Sequence, residues 1–412
     1  MNQDEKLMLY ALKLARGGIG SVEPNPAVGA VIVKANQIIG RGRHKKFGGP
    51  HAEINALEDC KTLGVDPRGA AMYVTFEPCS HFGKTGPCTQ AIIEAGLAKV
   101  FIATTDPSEH AKGKGIEQLR NARIEVQTGI CQTEARLLNA PFIKFTATGK
   151  CWVTLKWAQS IDGKVATAEP RPSRMGVGEP QPSGSGWISG EQSRKDVHKL
   201  RRRAQAILVG VNTVIADDPL LTARPVRSLH RSSTSLPEGP TSNGARPSKG
   251  KKATRIVLDN HLRIPLNCKL IKTAKRSPVL IYTNENTVRT NPEIVEKITK
   301  KGAEVLAYPD AQGWSNLYFL LDELSKRGIG HLLVEGGPRV LTSFLKEQLD
   351  DEIVVYIAPK ILGAQGSVDI TGPMTELTQA VSLHYVDIER FGDDVRLTGL
   401  TGKALSDISV SL

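Results

Sequence analysis

The sequence predicts an α/β protein composed of two domains. A chain of 412 residues is longer than one typical hydrophobic core organises. Its hydrophobic content, 40% of residues, is that of a folded globular protein. Short apolar runs of strand length alternate with helical patterns through both halves, which is typical of sheets covered by helices. We place the domain boundary after residue 146, giving domains 1–146 and 147–412.

The first half begins with a helical pattern, in which leucines recur from residue 7 to residue 14, and continues with short apolar runs between turn residues. These patterns predict, in chain order, a helix at 3–16, strands at 27–33 and 38–40, a helix from residue 51, a strand at 71–75, a helix from residue 88, a strand at 100–104, a helix at 115–120, a strand at 124–126 and a single helix at 131–145.

The second half opens on a β-branched and aromatic run that predicts a strand. We predict strands at 151–158, 206–209, 254–258, 279–282, 304–306, 331–334 and 353–357, with a helix at 192–203 and further helices between several strands. This alternation favours a mostly parallel sheet covered on both faces. Two stretches rich in Pro, Ser and Gly, 168–186 and 225–252, predict loop insertions.

The chain is basic, with a formal net charge of +12, which would suit either nucleic acid or small phosphorylated metabolites. Part of that excess falls in the insertion at 225–252, where a solvated loop is the simpler interpretation. The first residues do not have the pattern of a signal peptide, and no apolar run is long enough to span a bilayer. Two of the six cysteines belong to a motif described below, and the other four are scattered, which indicates a reduced, cytoplasmic protein without a membrane partner.

One motif carries a specific chemistry. Pro50-His51-Ala52-Glu53 is followed by Cys79 and Cys88, each preceded by proline. One imidazole and two thiolates are the zinc ligands of hydrolytic deaminases, with a nearby glutamate that does not bind the metal. Zinc lowers the pKa of a bound water toward neutrality, and Glu53 would carry protons as general acid and base. The alternative, an ordinary histidine beside two buried cysteines, is much weaker given the whole constellation.

The spacing of the two cysteines departs from the general deaminase pattern, in which two residues separate them. Here eight residues lie between Cys79 and Cys88, and the loop contains His81 and Lys84. These side chains would add hydrogen-bond donors toward a polar or anionic substrate beside the metal.

A second constellation lies near the end of the second half. The predicted strand at 331–334 leads into Glu335, Gly336 and Gly337, and Pro338 then begins a helix. Such a turn could bind a cofactor phosphate on backbone N–H groups at the helix start, although a tight connection alone would look the same. A Gly-x-Gly-x-x-Gly fingerprint is absent from the strand-helix junctions, which argues against an ordinary dinucleotide-binding domain.

Taken together, these motifs resemble the bifunctional deaminase/reductase of riboflavin biosynthesis over nearly the whole chain. The resemblance adds the runs 23–29, 154–163 and 210–224 to the zinc and glycine motifs. It implies a cytidine-deaminase-like three-layer domain followed by a dihydrofolate-reductase-like domain. It also implies zinc and NADPH as cofactors, a phosphorylated pyrimidine as substrate and no nucleic-acid partner. Because a phosphorylated intermediate would be shared between two sites, we also expect a homo-oligomer.

The resemblance assigns roles to individual positions. Zinc would be held by His51, Cys79 and Cys88, with Glu53 as the catalytic residue. The deaminase substrate would contact Asn25, His44 and Lys84. NADPH would contact Ala158, Trp187, Thr213, Asp217, Gly337, Pro338 and Arg339. The reductase substrate would contact Ser185, Arg201, Leu221, Arg224 and Glu335. Lys156 could lie near the reacting ribose carbon or simply pack its stem and expose its amine.

The sequence departs from the family pattern at two places. After Asp106-Pro107 the chain reads Ser108-Glu109 where the family usually has an Asn-Pro pair, and Asn260 stands where a serine is common.

Two alternative functions remain open. A tRNA base deaminase with a C-terminal binding module is mildly favoured by the basic charge, but the second half lacks an aromatic, basic platform. A reductase domain that has lost its activity is less consistent with Asp217 and Glu335.

Overall fold

The structure is a computed structural model, and it describes residues 1–80, 86–109, 111–167, 187–223, 252–309, 316–363, 367–368, 370 and 380–409. Three predicted site residues lie outside these ranges, namely Lys84, Ser185 and Arg224, as do the two predicted insertions except Lys252. The chain forms two compact units. The first unit contains Met1–Lys150 together with residues 406–409, and the second contains Cys151–Leu405. The domain division after residue 146 stays a prediction.

The first unit is a five-stranded sheet between two layers of helices. Its elements are α1 (Gln3–Arg16), β1 (Gly29–Lys34), β2 (Gln37–Arg43), α2 (Ala52–Thr62), β3 (Ala71–Val74), α3 (Cys88–Glu94), β4 (Lys99–Ile102), α4 (Lys114–Asn121), β5 (Glu125–Thr128), α5 (Gln132–Leu138) and α6 (Ala140–Thr148). The strand order is β2-β1-β3-β4-β5, with β1 antiparallel to both neighbours and β3, β4 and β5 parallel. Apolar residues of α2, α3 and α4 form one core, and those of α1 and α5 form another.

Close packing places α2, the helix that follows His51, directly against β2. A Cβ atom at Gly42 would lie 2.0 Å from the carbonyl oxygen of Ala52, so only glycine allows this approach. The resulting contact fixes the start of α2 against the sheet, and with it the backbone from which His51 and Glu53 project.

The single helix predicted at 131–145 is wrong, because the structure has two helices there, α5 and α6. They meet at Asn139, which adopts a non-helical backbone conformation before α6. Pro141 explains the break, since proline has no N–H group to continue the hydrogen bonds of α5 but fits the first turn of a new helix.

The second unit is built on a nine-stranded sheet. Its elements are β6 (Trp152–Ser160), β7 (Ala166–Thr167), α7 (Glu191–Arg203), β8 (Ala206–Gly210), α8 (Val211–Asp217), β9 (Thr254–Leu258), α9 (Lys269–Lys272), β10 (Val279–Asn284), α10 (Glu285–Thr290), α11 (Pro292–Lys300), β11 (Glu304–Tyr308), α12 (Leu317–Lys326), β12 (His331–Val334), α13 (Pro338–Lys346), β13 (Glu352–Ala358), β14 (Ser367–Val368), β15 (Leu383–Phe391), β16 (Asp394–Thr401) and α14 (Gly402–Asp407).

The order of this sheet is β11-β10-β9-β8-β12-β6-β13-β16-β15. The seven strands from β11 to β13 are parallel, which confirms the mostly parallel sheet, while β16 and β15 add an antiparallel edge that the sequence did not predict. Two separate apolar cores cover the sheet. Because β12 enters between β8 and β6, the carboxyl ends of three strands from distant parts of the sequence become neighbours. Among the described residues, none of the helices has the length and apolar character needed to cross a membrane.

A buried polar cluster links three adjacent strands of the second unit, β12, β6 and β13, with the end of α7. The Thr154 hydroxyl donates to Glu352 at 2.7 Å and lies 2.9 Å from Nε2 of His331. Arg203 lies 3.6 Å from the same carboxylate. Burial lowers the pKa of His331 to about 3, so the imidazole is neutral in the folded protein.

This burial predicts a loss of stability in mild acid. The unfolded chain takes up a proton near pH 6.5, the ordinary value for histidine, whereas folded His331 does so only near pH 3. Between these values the unfolded state binds more protons, so the free energy of unfolding falls as pH falls, by about 1.4 kcal/mol per pH unit from this residue. Urea unfolding of the whole chain, followed by tryptophan fluorescence, measures the second unit because all four tryptophans follow residue 150.

We expect His331→Asn to flatten this pH dependence by about 2 kcal/mol between pH 6.5 and pH 5. The exposed His261 provides the control, because His261→Asn removes a histidine without removing a buried one. Equal slopes for the wild type and His331→Asn would contradict the prediction.

Candidate active sites

The three predicted metal ligands converge in the first unit. His51 immediately precedes α2, Cys79 lies in the loop after β3, and Cys88 begins α3. Nδ1 of His51 lies 3.5 Å from Sγ of Cys79 and 3.3 Å from Sγ of Cys88. All three ligand atoms lie within 4.8 Å of one another, which fits a single ion. The donor set, one imidazole and two thiols, suits zinc and leaves a fourth position open.

Cys88 begins α3, as the predicted helix from residue 88 requires, whereas Cys79 lies in the loop before it. The start of α3 nevertheless acts on this residue, because the backbone N–H of Cys88 donates to Sγ of Cys79 at 3.3 Å. Hydrogen bonds from the Cys88 thiol and from His51 lower the pKa of Cys79. These contacts favour the thiolate of Cys79, the form that binds zinc.

A cavity of about 390 Å³ opens beside these ligands. Its lining includes His51, Cys79 and Glu53, so the predicted proton carrier and two of the ligands face one space. Glu53 is only 3% exposed, and burial raises the pKa of its carboxyl to about 7. Phe76 and Phe142, whose rings meet edge to face with centroids 5.7 Å apart, form an apolar part of the wall.

Two predicted substrate contacts, Asn25 and His44, also line this cavity. His44 is 2% exposed, and its Nδ1 lies 3.0 Å from the carbonyl oxygen of Pro50. Its Nε2 has no hydrogen-bond partner among the described residues. A buried ring nitrogen without a partner is costly, which makes His44 a strong candidate for hydrogen bonding to a bound substrate.

Sequence reasoning missed the residues that hold the cavity loops in place. Asn139 accepts a hydrogen bond from the N–H of Ala27 at 2.8 Å and donates to its carbonyl oxygen at 3.0 Å, which anchors the loop carrying Asn25. Glu77 accepts from the N–H groups of Asp106, Gly113 and Gly115, each at 3.1 Å. These hydrogen bonds hold the connection between β4 and α4, and Asp106 in that connection lines the cavity.

The candidate reductase site lies at the carboxyl end of β12 in the second unit. Glu335 follows this strand, and Arg201 of α7 donates two hydrogen bonds of 2.7 Å to its carboxylate. Burial alone would raise the pKa of Glu335, but the charge of Arg201 and its hydrogen bonds outweigh burial and hold the pKa below its ordinary value. The structure thus brings together two predicted substrate contacts as a bidentate ion pair.

The predicted glycine turn follows Glu335. A Cβ atom at Gly336 would lie 2.5 Å from Cβ of Val340 in α13, so glycine is needed for the tight approach. At Gly337 a Cβ atom would meet only Oγ1 of Thr213, at 4.0 Å, so open space lies over the first turn of α13. An open, glycine-lined helix start next to a hydroxyl fits a cofactor phosphate. Pro338 begins α13, and Arg339 is exposed.

The remaining predicted cofactor and substrate contacts vary in exposure. Ala158 lies half-buried in β6, and Asp217 is exposed at the end of α8. Trp187 is 53% exposed, with the guanidinium of Arg194 5.1 Å from its ring centre. Leu221 is buried and has a φ of +49°, which a leucine adopts only when its surroundings enforce it.

Comparison with known proteins first defines the class. Residues 1–104 match the family model described as the cytidine and deoxycytidylate deaminase zinc-binding region. Residues 151–397 match the RibD C-terminal domain. A zinc-binding deaminase domain is therefore followed by a reductase domain, and the fold class predicted from the sequence is confirmed.

Full-length relatives then identify the family. The riboflavin biosynthesis protein RibD of Aquifex aeolicus is 43% identical over 95% of this chain and 97% of its own length. The RibD protein of Escherichia coli strain K12 is 37% identical over 96% of this chain and 98% of its own length. A solved Acinetobacter baumannii RibD structure has 33% identity and a TM-score of 0.75, covering 97% of this chain and 99% of its own. The chain belongs to the RibD family of bifunctional deaminase/reductases of riboflavin biosynthesis.

The identification confirms the resemblance drawn from the sequence. The protein is a deaminase and a reductase that uses zinc and NADPH, and this assignment is favoured over a tRNA base deaminase. A Thermotoga maritima structure, with 31% identity and a TM-score of 0.71 over 97% of this chain and 98% of its own, is described as a diaminohydroxyphosphoribosylaminopyrimidine deaminase and 5-amino-6-(5-phosphoribosylamino)uracil reductase.

Proposed function

We propose that the first unit deaminates 2,5-diamino-6-(5-phosphoribosylamino)pyrimidin-4-one and that the second unit reduces the ribosylamino group of the product to a ribitylamino group. The observation that carries this proposal is the cavity that Glu53, His44 and two of the metal ligands, His51 and Cys79, all line. Family membership supports the pairing of this chemistry with a reductase.

In the deaminase step, water adds to the ring carbon that carries the amine, and the carbon–nitrogen bond then breaks to release ammonia. His51, Cys79 and Cys88 would hold the zinc, which would activate that water. Glu53 would carry one proton from the water to the ring nitrogen, and then the proton of the added hydroxyl to the amine, which leaves as ammonia while the carbonyl forms. Asn25, His44 and Lys84 would contact the pyrimidine ribose phosphate.

In the reductase step, NADPH supplies a hydride to the sugar carbon attached to nitrogen, and the sugar ring opens as its oxygen gains a proton. We propose that Ala158, Trp187, Thr213, Asp217 and the turn from Gly337 to Arg339 bind the cofactor. The open helix start at Gly337 supports a phosphate contact there. Ser185, Arg201, Leu221, Arg224 and Glu335 would bind the substrate.

One assay tests both steps. The diaminopyrimidine ribose phosphate is supplied with NADPH, and ammonia and NADPH absorbance are followed together. We expect one ammonia released and one NADPH consumed per substrate. Ammonia release without NADPH loss would contradict the reductase assignment. If neither ammonia release nor NADPH loss is seen, both assignments are contradicted.

We propose that the protein works in the cytoplasm as a homo-oligomer. Cys79 and Cys88 must stay reduced to bind zinc, which supports the location. Among the described residues β15 is the outer strand of its sheet, and Val386 and Ile388 on it are 47% and 65% exposed. Exposed apolar residues on an outer strand favour association. We expect light scattering to give the mass of two or more chains of 44.6 kDa each. The mass of a single chain would contradict the proposal.

A further inference from the structure

Lys156 occupies a central position in the second unit. It lies on β6, where Val334 of β12 pairs with Leu155, so Glu335 and Lys156 follow side by side. On the other neighbouring strand, β13, Tyr356 pairs with Ala158. The amine of Lys156 lies 5.6 Å from the centre of the Tyr356 ring. The ammonium group therefore has an aromatic face on one side and the Glu335 carboxylate nearby.

The Tyr356 ring is held rigidly in this position. Tyr356 is fully buried, and its hydroxyl donates to Asp196 of α7 at 2.8 Å. Asp196 is 3% exposed and is itself bound by Arg396 at 2.7 Å and by Lys199 at 3.1 Å. The ring also packs in a small apolar cluster with Ala158, a predicted cofactor contact.

An aromatic face attracts an ammonium group through its quadrupole, and the attraction strengthens where water is excluded. Burial lowers the pKa of Lys156, the charge of Glu335 opposes that effect, and Arg201 adds to it. The ring of Tyr356 favours the charged form in the same way as Glu335. Burial also raises the pKa of Tyr356, so its hydroxyl stays neutral and remains a donor to Asp196.

We propose that Tyr356 is a positioning residue of the reductase: its ring face holds the Lys156 ammonium beside Glu335, where the ribosyl group of the substrate binds. This inference rests on the proposed reductase function. Tyr356 acts through Lys156. Its ring is fixed by the hydrogen bond to Asp196, which Arg396 and Lys199 hold in place. The Lys156 ammonium is therefore positioned before the substrate binds.

The test compares two substitutions in the full-length, zinc-loaded enzyme. Tyr356→Leu removes the ring, whereas Tyr356→Phe keeps the ring and removes only the hydroxyl. We expect Tyr356→Leu to lower kcat for NADPH oxidation about tenfold and Tyr356→Phe to stay within about twofold of the wild type. The alkaline limb of the kcat profile should move to lower pH in Tyr356→Leu, since Lys156 loses a contact that favours its charge. Ammonia release should be unchanged in both.

Tyr282→Leu is the matched control, because Tyr282 is equally buried in β10 of the same sheet and has no assigned role in either site. It should reduce thermal stability as Tyr356→Leu does, yet leave the reductase pH profile in place. If Tyr356→Leu fails to fold, Tyr356→Met replaces it, since methionine fills irregular space without a ring.

Three outcomes would overturn the inference: wild-type kcat in the ring-free variant, equal losses in Tyr356→Leu and Tyr282→Leu, or a Tyr356→Phe defect as large as that of Tyr356→Leu. A wild type that releases ammonia without oxidising NADPH would instead overturn the proposed reductase function, and the inference with it.

Discussion

We expect Glu53→Gln to lower ammonia release by about 10³-fold, within the usual range for loss of a general acid and base. Glutamine has nearly the same size and fills the same buried position, but it can neither take a proton from water nor return one to the leaving amine. The measurement is the initial rate of ammonia release, together with zinc content by mass spectrometry. We expect one zinc per chain in both proteins.

Two comparisons isolate the role of Glu53. Glu58→Gln, an exposed position on the same helix, should release ammonia at the wild-type rate. Glu53→Gln supplied with the deaminated product should oxidise NADPH normally, because the change lies in the other unit. Retained ammonia release in zinc-loaded Glu53→Gln would contradict the assigned role.

We expect Arg201→Met to lower both the reductase activity and the stability of the second unit. The substitution leaves the Glu335 carboxylate, which is 8% exposed, without its bidentate partner. Removing one member of a buried ion pair costs about 3 kcal/mol, at the low end of the usual range because Arg201 is 17% exposed. NADPH oxidation should fall about 100-fold. Urea unfolding by tryptophan fluorescence and NADPH absorbance measure the two effects.

The double variant Arg201→Met/Glu335→Gln separates the effect on stability from the effect on reductase activity. It removes the unpaired charge, so we expect stability to recover while reductase activity stays low, since both substrate contacts are changed. Arg202→Met is the matched control, because its side chain is the exposed neighbour on α7. If Arg201→Met behaves like Arg202→Met, the ion pair has neither role.

The metal site could be predicted from the sequence because its signals are local. His51 and Glu53 are two residues apart at the start of a helix, and the prolines before Cys79 and Cys88 mark the two remaining ligands. Local signals of this kind depend on helix starts and turns, which short stretches of sequence determine. The apolar runs of the parallel strands were predictable for the same reason.

The supporting contacts could not be predicted, because they join distant positions. Asn139 binds the backbone of Ala27, 112 residues away, and Tyr356 lies against Lys156 through strand pairing that only the folded sheet defines. The strand β15 was missed because its charged and apolar residues do not form an apolar run, and its burial alternates little. Pairing with β16, rather than the pattern of β15 itself, defines the strand.

Residues 406–409, near the end of the sequence, belong to the first unit, and this affects folding of the chain during synthesis. Arg136 donates to the carbonyl oxygen of Ile408 at 2.6 Å, and Lys144 lies 3.0 Å from Asp407. During synthesis these partners emerge from the ribosome more than 250 residues after the helices they bind. The deaminase half, although translated first, is therefore completed last, only after the reductase half has been translated.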